Sequence, residues 1–209
     1  MSPAQARGAR ALALCALLVL CAACAGGRNA AIPPAPPPVD AAAQMPALEQ
    51  QIFLLVENER HRIDPAAKPL VRDAELQGIA EQRSADMARR NYIAHTSPDG
   101  VTAAGLLMDE DASFQGLLGE NLAVQPIAGN SGVDVPRYAR RIVDTWLASS
   151  AHRDNLAFAG YDRSAVAAAV GGRTIYVIQL FAANLGVTAI APGTAPRAGA
   201  AGHSGQAPP

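Results

Sequence analysis

The first regular pattern along the chain is a helical spacing of apolar residues that starts at Pro46. Proline suits the first turn of a helix, where its missing N–H costs nothing. Apolar side chains then recur three or four positions apart, at Leu48, Ile52, Leu55 and Val56. This spacing puts them on one face of a helix. The pattern predicts a helix that ends in the polar stretch ENERHR, with His61 on a solvated helix end.

A second helix is predicted from Asp73 to about Asn91. Aspartate is a favourable N-cap, and Glu75 places a negative charge in the first turn, where the helix dipole favours it. The apolar positions that follow share one face, which consists of Leu76, Ile79, Ala80 and Met87.

Two further helices are predicted in the middle of the chain. A short one is expected over Val101–Met108. A longer one begins at Asp134 and Pro136, and its apolar face carries Val135, Ala139, Ile142 and Trp146. These residues lie four, three and four positions apart, as on one side of a helix. The only tryptophan of the protein is therefore expected on a buried face.

Three stretches have the pattern of β-strands. SAVAAAVGG and TIYVIQLFAAN flank a GGR turn, so that residues 164–183 are expected to form a β-hairpin, and GENLAV at 119–124 is a further candidate strand. Both arms of the hairpin are apolar on both faces, and such a sheet must be covered by helices on each side. The pattern predicts an α+β fold, a three-layer α-β-α sandwich in a single domain.

The N-terminus has the features of an export signal. Arg7 and Arg10 precede the apolar run ALALCALLVLCAA. The run has 13 residues, whereas a membrane-spanning helix needs roughly 20. Its length is typical of the core of a secretory signal peptide, which we expect over residues 1–23.

Cys24 closes the stretch CAAC, which resembles the lipobox of bacterial lipoproteins, although Cys21 stands where leucine is usual. In this interpretation Cys24 becomes the lipidated N-terminus, and the Pro-rich linker at 24–44 tethers the domain to the membrane. Ordinary cleavage after ACA at 23–25 is the alternative.

The domain itself is expected over residues 45–188. The Gly-, Pro- and Ala-rich tail at 189–209 has no hydrophobic periodicity and is expected to be disordered.

The charge pattern argues against nucleic-acid binding, and the cysteine positions argue against a disulfide-bonded domain. The net charge is −1 and the basic residues are scattered, so that no basic stripe indicates nucleic-acid binding. The three cysteines, Cys15, Cys21 and Cys24, all lie in the leader. The exported domain therefore cannot depend on disulfide bonds.

The stretch AHTSPDG places a histidine beside a sequence that favours a turn. Pro98 fixes its own φ and disfavours the helical region for Ser97, while Asp-Gly favours a chain reversal. We expect Thr96 to Gly100 to form a turn that brings the His95 ring into a site.

Two residues are candidate partners for His95. Glu120 is an acid flanked by apolar residues on the predicted strand, and His152 follows the helix that carries Trp146. Each of the three lies at an element boundary, and such boundaries can converge at one edge of a sheet. Ser149 precedes His152 by three positions, so that on a continuing helix the two would be neighbours.

The chain resembles the CAP superfamily, the SCP-like extracellular proteins, over roughly residues 50–183. The resemblance is to the short bacterial branch without cysteines. It rests on six motifs in order, namely ENER, KPLVRDAEL, ADMARRNYIAHTSPDG, GENLA, WLASSAHRDNL and YVIQLF.

The resemblance implies an α-β-α sandwich with a central cleft that holds two histidines and two acids. In the family this cleft can bind a divalent metal, often zinc. His95, Glu120 and His152 match three of the four family positions and are therefore the metal ligands that the resemblance implies. The fourth is an acid in many eukaryotic members and is Ser149 here, in WLAS. The set of ligands is thus incomplete.

Several interpretations of these residues stay open. Two imidazoles and a carboxylate suffice for a zinc site with an open position. Alternatively, the three groups form a hydrogen-bond network without a metal. A hydrolase would use Glu120 or a metal-bound water as base, or Ser149 as nucleophile.

The function predicted from the sequence is that of an exported, lipid-anchored cell-envelope protein. We expect a binding module, rather than an enzyme, with a cleft lined by His95, Glu120, His152 and Ser149. Its ligand is a small or polymeric molecule of the envelope, and nucleic acid is not expected as a partner. A cleft-based hydrolase and a purely structural envelope protein are the alternatives.

Overall fold

The computed structural model describes residues 40–129 and 132–185. The proposed signal peptide, Cys24, most of the linker and nearly all of the C-terminal tail lie outside the described residues. The regular elements are, in chain order, α1 (Met45–Ile63), β1 (Val71–Arg72), α2 (Ala74–Arg90), α3 (Ala103–Glu110), β2 (Gly116–Pro126), α4 (Val135–Ala148), α5 (Ser150–Ala157), β3 (Arg163–Gly171) and β4 (Thr174–Asn184).

The strands form one four-stranded sheet in the order β1-β3-β4-β2. β3 and β4 form the predicted antiparallel hairpin, β2 pairs antiparallel with β4, and β1 pairs parallel with β3. β2 is therefore an edge strand. Because successive side chains of a strand point to opposite faces, β2, β3 and β4 each contribute to two cores.

The two faces of the sheet carry separate hydrophobic cores. On one face α1, α4 and α5 pack against side chains such as Val166 and Phe181, and Trp146 is fully buried there. On the other face α2 and α3 cover residues such as Ile178 and Leu180. Helices therefore cover both sides of the sheet, and the predicted α-β-α sandwich is confirmed.

The helix starts follow the predicted caps. The Asp73 carboxylate accepts hydrogen bonds from the N–H groups of Glu75 and Leu76, and Asp134 accepts from the N–H of Arg137. Asn91 ends α2 in the left-handed region, with φ of 53°. The third helix begins two residues later than predicted, because Thr102 caps it by accepting from the N–H of Gly105.

Two elements differ from the sequence prediction. β1 was not predicted, and its two residues pair with Arg163 and Ser164 at the start of β3. The stretch after Trp146 was predicted to be a helix end, whereas α4 ends at Ala148 and a separate helix, α5, starts at Ser150. Among the described residues, no helix is long and apolar enough to cross a membrane.

Candidate functional site

The turn after α2 forms as the sequence predicts. The N–H of Gly100 donates to the carbonyl of Ser97 at 2.9 Å, and the N–H of Ser97 donates to the carbonyl of Val101 at 2.8 Å. The Ser97 hydroxyl accepts from the N–H groups of Asp99 and Val101. Gly100 has φ of 86°, a conformation that glycine adopts without strain. His95 directly precedes this closed turn.

His95 and Glu120 are in direct contact. His95 Nδ1 lies 2.8 Å from Glu120 Oε1. An ionised carboxylate can only accept, so with Glu120 ionised this bond requires the proton on Nδ1. The side chain of Glu120 is 12% exposed and that of His95 is 63% exposed. The carboxylate therefore lies at the base of the site and the imidazole at its solvent side.

Glu120 lies inside β2 rather than at a strand end, because the strand begins four residues earlier, at Gly116. Its strand neighbour Leu122 belongs to the α2 and α3 core, so Glu120 points to that same face. The preceding residue, Gly119, lies against Tyr161. A Cβ at Gly119 would approach Tyr161 Oη to 2.5 Å, which explains why glycine stands before the acid.

Burial raises the pKa of the Glu120 carboxyl above its ordinary value of 4.5. The hydrogen bond from His95 and the charges of His95 and Arg83 act in the opposite direction and lower this pKa. Burial thus opposes the ionisation of Glu120, while the hydrogen bond from His95 and the charge of Arg83 favour it. Perturbed carboxyls of this kind are common in functional sites.

His152 approaches the same strand from the opposite helical layer. It lies in the first turn of α5, and its carbonyl accepts from Asn121 Nδ2 at 3.1 Å. Burial, followed by the charge of His95, lowers the pKa of His152 below 6.5. Because Glu120 lies on edge strand β2 and Asn121 of the same strand contacts the His152 carbonyl, the candidate site lies at the free edge of the sheet.

The imidazole of His152 has an unpaired nitrogen. Within the described residues, its Nδ1 is buried and has no hydrogen-bond partner. A buried polar atom usually has a partner in a native structure. The atom is therefore available to a ligand or to a water molecule that enters the site.

Two asparagines that the sequence analysis missed hold this edge together. Asn155 Nδ2 donates to the carbonyl of Glu120 at 3.1 Å and to Asn121 Oδ1 at 2.8 Å. Asn121 is fully buried. Asn121 lies in the motif GENLA and Asn155 in the motif WLASSAHRDNL. Only the packing of α5 against β2 in the structure shows that the two asparagines meet.

Ser149 occupies the break between α4 and α5. Its backbone is extended, with φ of −93° and ψ of 126°, and its carbonyl accepts from the N–H of Arg153. The continuing helix that would make Ser149 and His152 neighbours is therefore absent. Ser149 is half-buried, and its side chain makes no capping hydrogen bond to α5.

The donor set does not fit a metal ion in this arrangement. In residues 40–129 and 132–185, no group of three or more His, Cys, Asp or Glu is arranged so that it could hold one. The His95 Nδ1 is instead bonded to Glu120. A zinc ion on His95, Glu120 and His152 stays a prediction of the resemblance.

A groove of about 340 Å³ lies beside this site rather than in it. It is bounded by α2, α3 and the turn at 97–101, and its described lining includes Arg83, Asp86, Arg90 and Ser97 but none of the three predicted cleft residues. The His95 side chain is 63% exposed, so the His95–Glu120 pair faces solvent at the sheet edge.

Acid should destabilise the fold through His152. Because the pKa of His152 is lowered in the folded state, the unfolded chain binds more protons at and below pH 6.5. The free energy of unfolding should therefore decrease as the pH falls below about 6.5 and through the folded-state pKa. Urea unfolding of the wild type and of His152→Gln at pH 7.5, 6.5 and 5.5 measures this contribution.

The difference in unfolding free energy between the wild type and His152→Gln separates the contribution of His152 from that of the buried carboxyls. Burial raises the pKa of both Glu120 and Glu49. These two carboxyls therefore increase the free energy of unfolding as the pH falls just above 4.5, opposite to the effect of His152. The stability curve of His152→Gln should therefore decrease less between pH 6.5 and 5.5. Parallel curves would show that His152 titrates normally in the folded state.

The chain matches one family model. The model for the CAP family, described as the cysteine-rich secretory protein family, matches residues 60–181, more than half of the chain. The matched region contains His95, Glu120 and His152 but no cysteine. No curated protein is significantly similar to this chain.

The solved structures that are similar in fold include two bacterial proteins. An outer surface protein from Borrelia burgdorferi has a TM-score of 0.55 and 20% identity, and the match covers 70% of this chain and 96% of that one. An extracellular protein containing an SCP domain from Bacillus anthracis has a TM-score of 0.52 and 28% identity. That match covers 67% of this chain and 41% of the Bacillus protein, so the chain spans less than half of that relative.

Proposed function

Because the chain belongs to the CAP family, we propose that it is an exported cell-envelope binding module that recognises its ligand at the His95–Glu120 site. The observation that carries this proposal is the 2.8 Å hydrogen bond between an exposed imidazole and a buried carboxylate. A contact whose imidazole is 63% exposed is screened by water and contributes little to stability, while burial of the carboxylate is costly. Stability alone therefore gives little reason for this pair.

The shape of the site favours an extended ligand over a small one. Pockets for small molecules are concave and bury most of the ligand. The His95 imidazole is instead 63% exposed at the sheet edge, with the Glu120 carboxylate behind it. A polymer of the cell envelope that carries hydroxyl, amide or carboxylate groups can lie along such an edge and bond to the His95–Glu120 pair.

The proposal includes an anchor to the membrane. Lipidation of Cys24 and the Pro-rich linker would hold the domain at a fixed reach from the bilayer, next to an envelope polymer. The support for this part is the sequence of residues 1–44 alone.

Co-sedimentation with purified peptidoglycan sacculi tests the binding function. We expect the wild type to sediment with the sacculi, and His95→Ala and Glu120→Gln to bind at least about tenfold more weakly. A hydrogen bond to a charged group contributes about 1.5–3 kcal/mol, and 1.4 kcal/mol corresponds to tenfold in affinity. His61→Ala is the matched control, because His61 lies in the last turn of α1 and is exposed.

The same assay separates the proposal from its alternatives. Equal sedimentation of the wild type and both site variants would contradict the binding function of this site. If the wild type does not sediment at all, this polymer is not the ligand and a structural role is favoured. In either case the folded state of each variant is checked by circular dichroism.

One observation favours hydrolysis as a second candidate. Burial raises the pKa of Glu120, and a carboxyl with a raised pKa beside an imidazole can act as a general acid or base. A hydrolase would release soluble fragments from the sacculi, and Glu120→Gln would abolish the release. Binding without release supports the module, and release by the wild type alone supports the enzyme.

A further inference from the structure

Arg83 is a buried cation on the inner side of the segment that carries His95. It lies in the middle of α2 and is 1% exposed. Its Nη2 donates to the carbonyl of Ala94 at 2.8 Å and to that of His95 at 3.1 Å, and its Nη1 donates to Tyr92 Oη at 2.9 Å. One guanidinium thus contacts three of the four residues from Tyr92 to His95.

The backbone of the segment from Tyr92 to His95 is held in place by little else. It follows the end of α2 and precedes the turn at 97–101, and residues 92–94 belong to no helix or strand. Tyr92 is fixed a second time, because its hydroxyl donates to Asp86 Oδ2 at 2.7 Å. Asp86 is itself paired with Arg90. Arg83 and Asp86, one turn apart on α2, therefore hold the segment from the same helix face.

The charge of Arg83 also reaches the partner of His95. The charge of Arg83 lowers the pKa of Glu120 against the effect of burial. The same side chain thus fixes the position of the imidazole and favours the charge on the carboxylate that accepts from it.

We propose that Arg83 is a positioning residue of the His95–Glu120 site, which holds the His95 backbone at the distance where Nδ1 can donate to Glu120. The role of the positioned His95 in ligand binding rests on the proposed function. The positioning of His95 by Arg83 does not depend on that function. Removal of the guanidinium should release the carbonyls of Ala94 and His95, and the imidazole should leave Glu120.

The tautomer of His95 is the direct measure of this role. Free histidine prefers the proton on Nε2, whereas a bond to Glu120 requires it on Nδ1. Imidazole ¹⁵N shifts of the full mature chain at pH 8 should show the Nδ1–H form of His95 in the wild type. Arg83→Gln should shift His95 mainly to the Nε2–H form.

Arg83→Lys separates position from charge. Lysine keeps the positive charge but cannot reproduce the planar fork that contacts several acceptors. We expect it to lose much of the Nδ1–H form although the positive charge is kept, because the fork that contacts the carbonyls of Ala94 and His95 is gone.

Arg60 provides a matched control elsewhere in the fold. It is also 1% exposed, and its guanidinium donates to four backbone carbonyls, those of Leu156, Phe158, Lys68 and Tyr161. Arg60→Lys should lower stability in a similar way to Arg83→Lys and leave the His95 tautomer unchanged. Loss of the tautomer in both variants would indicate general loosening and overturn the proposal.

The outcome is independent of ligand binding. If Arg83→Lys and Arg83→Gln both keep the wild-type tautomer, Arg83 does not position His95, even where sacculi are bound. If the tautomer is lost as expected while the wild type binds no sacculi, the positioning role stands and the proposed function fails. Arg83→Lys retains the buried charge and so decides the matter if Arg83→Gln does not fold.

Discussion

Replacement of Trp146 by alanine should lower the free energy of unfolding by about 3–5 kcal/mol, the usual cost of truncating a large buried side chain. Trp146 is fully buried between α4 and the sheet, and its Nε1–H donates to the carbonyl of Leu122 at 2.9 Å. Alanine would leave a cavity and an unpaired carbonyl on the edge strand. Because Trp146 is the only tryptophan, urea unfolding should be followed by circular dichroism rather than by fluorescence.

Trp146→Phe divides this loss into its two causes. Phenylalanine fills most of the cavity but cannot donate to Leu122, and an unsatisfied buried group costs about 1–3 kcal/mol. An intermediate loss is therefore expected. If Trp146→Ala costs less than about 1 kcal/mol, the ring does not contribute to the core as its burial indicates.

The same indole connects stability to the candidate site. Leu122 follows Glu120 by two residues on the free edge of the sheet, and Asn155 donates to the Glu120 carbonyl on that edge. Side chains of α4 and α5 therefore occupy two backbone acceptors of β2, the carbonyls of Leu122 and Glu120. An edge strand covered in this way is less able to pair with another chain, and its side chains are held in place for a ligand.

The helices and the hairpin could be predicted from the sequence because their signals are local. Asp73 and Asp134 cap the helices that follow them, and the apolar spacing up to Trp146 reports one buried face. The GGR turn lies between two apolar runs, and the hairpin forms with Gly172 in the left-handed region. Each of these features depends on residues within a few positions of each other.

β1 and α5 could not be predicted in the same way. β1 has two residues, and Val71 is exposed, so that no alternation distinguishes it from a loop; only the pairing with β3 defines it. α5 depends on the break at Ser149, where an extended backbone interrupts a sequence that could otherwise continue as a helix. Tertiary contacts decide both cases.

The site was predictable in its chemistry but not in its supports. His95 and Glu120 were selected as partners from turn chemistry and motif order, and they are in contact. Arg83 was not selected, because an arginine inside a helical pattern usually lies on a solvated face. Its burial results from the path of residues 92–95 back across α2, which no local pattern reveals.

Cys24→Ser should move the mature protein from the membrane pellet to the soluble fraction after export. Serine lacks the thiol that a lipid attaches to, while it leaves the size of the side chain nearly unchanged. Each acyl CH₂ buried in the bilayer contributes about 0.8 kcal/mol, and stable anchoring requires more than one chain or a second signal. The leader, once cleaved, cannot supply that signal, so loss of lipidation should release most of the protein.

Cys15→Ser is the matched control for the anchor. It also removes a thiol from the leader, but Cys15 lies inside the apolar run and not at the predicted cleavage position. This variant should stay in the pellet and still incorporate labelled fatty acid, whereas Cys24→Ser should incorporate none. A wild type that is already soluble after export would show that cleavage occurs without lipidation, as in the ACA alternative. The domain that carries the His95–Glu120 site would then diffuse freely.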